Sequence, residues 1–127
     1  MKFKAKEIFA DYDENEILII GFSGEPTKHD EQIYFTIQDS DKYDHQDREL
    51  GMDTYYIEKN DQSMAGYGGV KEIKLSKNRI QIDFDQKGID NLKETNIEID
   101  FEFNSDEFKN LCKKLGQVFS NDELKKI

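Results

Sequence analysis

The sequence predicts an α+β domain: a mostly antiparallel sheet of about six or seven strands, with a C-terminal helix packed on one face. Three observations carry this. Apolar and polar residues alternate at period two in short runs through the first hundred or so positions. Phe108, Leu111, Cys112, Leu115, Val118 and Phe119 then switch to helical spacing. Strands precede the helix without the strand–helix–strand alternation that builds parallel sheets. The 127 residues suit a single domain, 1–127, around one core.

In chain order, 3–9 reads as an edge strand, with a turn over 11–15. Residues 17–22 form a nearly continuous apolar run, as in a central strand covered on both faces. Gly24, Glu25 and Pro26 break it. Ile33, Phe35 and Ile37 alternate with Tyr34, Thr36 and Gln38, which predicts a half-buried strand. A polar loop over 39–51 leads to another, where Tyr55 and Ile57 alternate with Tyr56 and Glu58.

The second half is better determined. Residues 70–75 and 79–84 flank Ser76, Lys77 and Asn78, a tight-hairpin signal. A two-residue turn at Lys77 and Asn78 sets Leu75 against Ile80, Ile73 against Ile82 and Glu72 against Asp83. That register places every large apolar side chain on one face. A short helical turn fits 88–94. Ile97, Ile99, Phe101 and Phe103 then alternate with Glu98, Asp100 and Glu102. Asn104 and Glu107 have the spacing of a capping box, and Phe103 and Phe108 that of a hydrophobic staple. Each large member of the following stripe gains about 1.5–3 kcal/mol on burial, so the helix belongs on the sheet.

Composition narrows function. Eighteen basic and 28 acidic side chains leave a net charge of −10, which repels nucleic acid and anionic membrane and favours basic partners. Nine Phe and six Tyr supply packing area that a 35% apolar content otherwise lacks. Cys112, the single cysteine, falls in the helical stripe, where a buried thiol is expected. The opening residues contain no apolar stretch of leader length and no run is long enough to span a membrane, so a cytoplasmic protein is expected.

No catalytic constellation emerges. His29 and His45 lie in polar loops, away from any nucleophile. A hydrolase built on either is the weakest reading. Asp39, Asp41, Asp44, His45 and Asp47 invite a metal, but the calcium-loop pattern fails at Asp44, where glycine is needed, and at Leu50, where glutamate is. No metal or cofactor is therefore expected. Gly66, Tyr67, Gly68 and Gly69 lack the lysine and hydroxyl of a phosphate loop and precede a strand. They read instead as a turn with positive φ angles, held by Asp61 and Gln62 bonding its backbone. A small-ligand or metal-binding module using loop 39–47 or this turn is the alternative to a protein-binding role.

The acidic strands are the candidate interface. Asp83 and Asp85 share an outward face with Glu72, and Glu98, Asp100 and Glu102 line one face of the last long strand. If those strands pair, like charges meet across them, at a cost of a few tenths to about 1 kcal/mol each. The face is either tolerated decoration or a surface selected for a basic partner.

From residue 55 to 119 the chain resembles a family of immunity proteins of bacterial polymorphic toxin systems, immunity protein family ten. The resemblance lies in Tyr56, Ile57 and Glu58, then Asp61 and Gln62, then Tyr67, Gly68, Gly69 and Val70. The Ile73/Leu75 hairpin and the C-terminal helix follow. It implies a non-enzymatic cytoplasmic α+β protein that neutralises a cognate toxin by tight binding. It brings no catalytic residues, and the matched positions read as scaffold. An acidic inhibitor fits a toxin with a basic surface, such as a nuclease, whose active or substrate-binding surface it would occlude.

Overall fold

The structure, a computed structural model, describes residues 1–25, 33–40 and 54–126. Among them, nine strands form one sheet: β1 (Lys2–Tyr12), β2 (Leu18–Gly24), β3 (Tyr34–Asp39), β4 (Tyr56–Lys59), β5 (Asp61–Tyr67), β6 (Val70–Ser76), β7 (Arg79–Phe84), β8 (Asn96–Asp100) and β9 (Leu124–Lys126). Helix α1 (Gln86–Leu92) separates β7 from β8, and α2 (Ser105–Val118) separates β8 from β9. The order across the sheet is β5-β4-β3-β2-β1-β8-β7-β6-β9. Only β1·β8 and β6·β9 pair in parallel.

The α+β class and the mostly antiparallel sheet match the sequence reading, but the strand count exceeds six or seven. The additional strands are β5 and β9. β5 contains no β-branched residue and no apolar alternation, and β9 has three residues. The hairpin forms in the expected register, with Leu75 opposite Ile80, Ile73 opposite Ile82 and Glu72 opposite Asp83. Two strand expectations are corrected. β1 is not an edge: it sits mid-sheet, antiparallel to β2 and parallel to β8. Its lysines imitate an edge strand, yet Lys2 and Lys4 stand opposite Glu98 and Asp100. β2 is covered on one face only, with Leu18, Ile20 and Phe22 buried and Ile19 and Gly21 half-buried.

One connection determines the shape. β5 and β6 are joined by Gly68 and Gly69 alone, yet six strands stand between them in the sheet. At about 4.8 Å per strand, a flat sheet would separate them by roughly 34 Å. The link reaches about 11 Å. The sheet must therefore curl until its two sides approach. The ring centroids of Phe35 on β3 and Phe84 on β7 lie 6.2 Å apart across the interior.

The corner is built from backbone contacts. Gly68 and Gly69 adopt φ values of 71° and 100°, as their turn requires. Gly68 N–H donates to the Tyr55 carbonyl at 2.8 Å, and Asp85 N–H donates to the Gly69 carbonyl at 2.9 Å. Val70 N–H donates to the buried Tyr55 hydroxyl at 2.9 Å. A Cβ on Gly88 would stand 2.4 Å from the Gly69 oxygen, so α1 meets the corner backbone to backbone. The expectation that Asp61 and Gln62 hold this turn is corrected: Asp61 Oδ1 accepts from Ser63 N–H at 2.7 Å and from the Ser63 hydroxyl, within its own bend.

α2 fills the curled sheet with Leu111 and Leu115, both buried, and with Phe119 just beyond its end. The capping box forms: Asn104 Oδ1 accepts from Glu107 N–H at 2.9 Å, and Glu107 Oε1 accepts from Asn104 N–H at 3.4 Å. Cys112 is only partly buried, because it flanks the Leu111/Leu115 line, and burial still pushes its thiol pKa upward. α1 begins at Gln86 instead of Gly88, capped by Asp85, and ends at Lys93 in the left-handed region. No helix among the described residues is long and apolar enough to cross a membrane.

Two glycine substitutions should move stability in opposite directions in urea unfolding. Gly88→Ala, forced against the Gly69 oxygen, should cost about 2–4 kcal/mol. Gly116→Ala, on an exposed helical position with open space around it, should gain about 0.8 kcal/mol.

Candidate protein interface

The outer surface of the sheet divides into a charged half and an aromatic half. In the charged half, β8 lies between β1 and β7. Glu98 faces Lys2 and Gln81, and Asp100 faces Lys4 and Arg79. Arg79 Nε sits 2.6 Å from Asp100 Oδ1, Lys4 Nζ 3.2 Å from Glu102 and Lys2 Nζ 3.6 Å from Glu98. The Arg79 guanidinium holds the Asp100 carboxyl below the usual carboxylate range.

This corrects the expected stacking of like charges along β7 and β8. The register interleaves the acids with Lys2, Lys4, Arg79 and Gln81, so the face is a ladder of opposite charges. Like charges stand directly opposite at Glu72 and Asp83, and Asp83 there accepts from Gln81 Nε2 at 3.0 Å. Asp85 is turned to another task, its Oδ1 accepting from Gly88 N–H at 3.0 Å as the α1 cap. Exposed pairs of this kind add about 0–1 kcal/mol each.

A second ionic cluster lies inside. Lys59, 6% exposed, points inward from β4 and places Nζ 2.9 Å from Glu94 Oε1. The Met1 ammonium lies 3.0 Å from Glu94 Oε2. Glu94 thus ties β4 to the start of β1 and to the approach to β8. Burial alone would raise the Glu94 pKa, but the bonds from Lys59 and the terminal ammonium outweigh it and hold the carboxyl below its ordinary 4.5. The sequence gives no cue to this cluster, since Lys59 reads as a surface residue at a strand end.

The aromatic half spans β1 to β5. Pairing places Asp11, Ile19, Gln38, Tyr56 and Tyr67 in one outward row. The next row holds Phe9, Gly21, Thr36, Glu58 and Ala65, and Glu7, Ser23 and Tyr34 begin a third. Phe9 is 52% exposed, the most of any large apolar side chain among the described residues. Glu58 is held by two phenols: Tyr34 Oη donates to Oε2 at 2.5 Å and Tyr56 Oη to Oε1 at 2.7 Å. Burial first, and the bond to Glu58 second, push both tyrosines up to about 12, so they remain protonated donors at neutral pH. The Tyr56 and Tyr67 rings lie 5.3 Å apart. Beside them is an open hollow of about 670 Å³, running from Tyr34, Thr36 and Gly21 past Phe9 to Phe103 and Glu107 near the start of α2.

Of the motif residues, Tyr56, Glu58 and Tyr67 therefore share the outer face, while Gly68 and Gly69 form the corner and Asp61 its own bend. Gln62 is exposed on β5. His29, His45, Asp41, Asp44 and Asp47 lie outside the described residues, and Asp39 closes β3. Among the described residues, no three His, Cys, Asp or Glu side chains gather as a metal would need.

The outer face of the curled sheet is thus ion-paired over one half and aromatic over the other. The family model described as Immunity protein 10 matches residues 4–109. The chain belongs to that immunity protein family. No curated protein and no solved structure matches it.

Acidification should expose the Glu94 cluster. A depressed carboxyl stabilises the fold above its unfolded pKa, and that contribution is lost as pH falls below about 4.5 through the folded value. Glu94→Gln should flatten the acid limb of a pH–stability curve. Glu94→Ala, which strands the Lys59 ammonium, should cost about 3 kcal/mol at pH 7, measured by urea unfolding.

Proposed function

We propose that this protein neutralises a cognate toxin by binding it and occluding its active or substrate-binding surface, acting in the cytoplasm of the bacterium that makes both. Membership of the immunity family over 106 of its 127 residues carries the reading. The net charge of −10 supports a toxin with a basic surface, as a nuclease has. Asp83, Asp85, Glu98, Asp100 and Glu102 are the carboxylates assigned to that partner. Because Glu98, Asp100 and Glu102 already face cations, their contribution is long-range attraction during approach, set by the whole field and not by a single contact.

Calorimetric titration with an inactivated form of the polypeptide encoded beside this gene tests the proposal. One-to-one binding with nanomolar or lower Kd is expected, weakening as salt rises. Replacing Glu72 and Asp83 with lysine should slow association several-fold and change dissociation little. An absence of binding at micromolar concentrations would overturn the function. Tight binding indifferent to salt would remove the electrostatic part alone.

A further inference from the structure

The aromatic half of the outer sheet face has the features of a built contact site. Its residues Phe9, Ile19, Tyr34, Tyr56 and Tyr67 surround small side chains at Gly21, Thr36 and Ala65, so the rows form a shallow trough with aromatic walls. A folded domain gains nothing from leaving Phe9 half in water. Thr36 Oγ1 is buried in this surface and has no hydrogen-bond partner among the described residues. Satisfying such a group is worth about 1 kcal/mol or more, which a partner's donor or acceptor can supply.

Charge identifies the occupant. No lysine or arginine stands at the outward positions of β2, β3 or β5, and Lys59 of β4 points inward to Glu94. Glu58 therefore faces outward as a carboxylate held by neutral phenols, with no cation in ion-pair range among the described residues. The two phenols fix its rotamer, leaving its remaining lone pairs oriented toward solvent. A carboxylate set among tyrosine rings combines an anion with π faces, the arrangement that takes a guanidinium or ammonium group.

We propose that the toxin docks on this face, with an arginine or lysine side chain seated between Glu58 and the rings of Tyr56 and Tyr67, and with Phe9 packed under an apolar neighbour. This rests on the immunity reading and adds the contact surface to it. The charged ladder of β8 then governs the rate of encounter, and the aromatic face governs how long the complex lasts.

The test is surface-plasmon-resonance kinetics of the full chain against the inactivated toxin. Glu58→Gln keeps the size and an acceptor for the phenols but removes the charge. Phe9→Ala removes an exposed ring and leaves the core alone. Each should raise the dissociation rate about 30-fold or more while circular-dichroism melts stay near wild type. Tyr12→Ala, which trims the other exposed aromatic on the α2 side, should change binding less than threefold. Wild-type binding with Glu58→Gln and Phe9→Ala both within threefold of it would overturn the docking surface and leave the function standing. Failure of the wild-type protein to bind would overturn both.

Discussion

The approach of Gly69 to Gly88 governs the architecture. Two residues must return the chain from one side of a nine-stranded sheet to the other, and they can do so only if the sheet rolls up. Rolling brings α1 onto the corner at a distance that excludes any Cβ on either glycine. Everything inside follows. The Phe35 ring reaches Phe84 across a space that three intervening strands would otherwise hold open. Tyr55 spans from the corner to Phe119, with ring centroids 4.8 Å apart, while its hydroxyl accepts from Val70. One motif thus sets the curvature, the seat of α1 and the depth of the trough that α2 fills.

The same closure explains why a lysine is buried. When the sheet rolls, the inward end of β4 meets the segment between α1 and β8. Lys59 cannot turn out to water from an inward strand position, so its charge is met by Glu94, which the Met1 ammonium engages from the other side. A buried ion seldom repays its desolvation, but removing one partner is costly because the other remains. The cluster therefore fixes the closed arrangement more than it adds stability. It also contrasts with the outer ladder of Lys2, Lys4 and Arg79 on Glu98, Asp100 and Glu102, where water screens every pair.

How much of this was legible depends on range. Local patterns were: the Lys77/Asn78 hairpin and its register, the Asn104/Glu107 box and the Leu111/Leu115 stripe each depend on neighbours within a few residues. Pairings distant in sequence were not. Lys2 and Lys4 look like edge decoration until β8, nearly a hundred residues later, is placed beside them. Glu98 and Asp100 look like a repelling acidic face for the same reason, since no local cue reveals β1 on one side and Arg79 on the other. β5 carries neither β-propensity nor alternation and is held by pairing with β4 and by α1 against Gly66, where Asn91 occupies the space of a Cβ. The acidic candidate residues were visible as a list, but their partners were not. The aromatic trough was invisible because its members come from five strands.

Burial and charge together separate what the two outer halves can do. In the β8 half, Glu98 and Asp100 already face cations and Asp83 accepts from Gln81, so a partner's arginine at any of these must displace an existing bond and gains little by exchange, while Glu72 stands opposite the like charge of Asp83. In the β1–β5 half, Glu58 is met by two neutral phenol donors and, among the described residues, by no cation, and Phe9 and the tyrosines offer area that water hydrates poorly. A cation arriving there gains an ion pair without breaking one, and the rings around it lower the local dielectric, which strengthens that pair. Long-range attraction depends on net charge and is shared by the whole surface, whereas retention depends on desolvated contacts and belongs to few residues. An inhibitor that must find its toxin quickly and release it slowly needs both, and on the proposed reading the two demands fall on different strands.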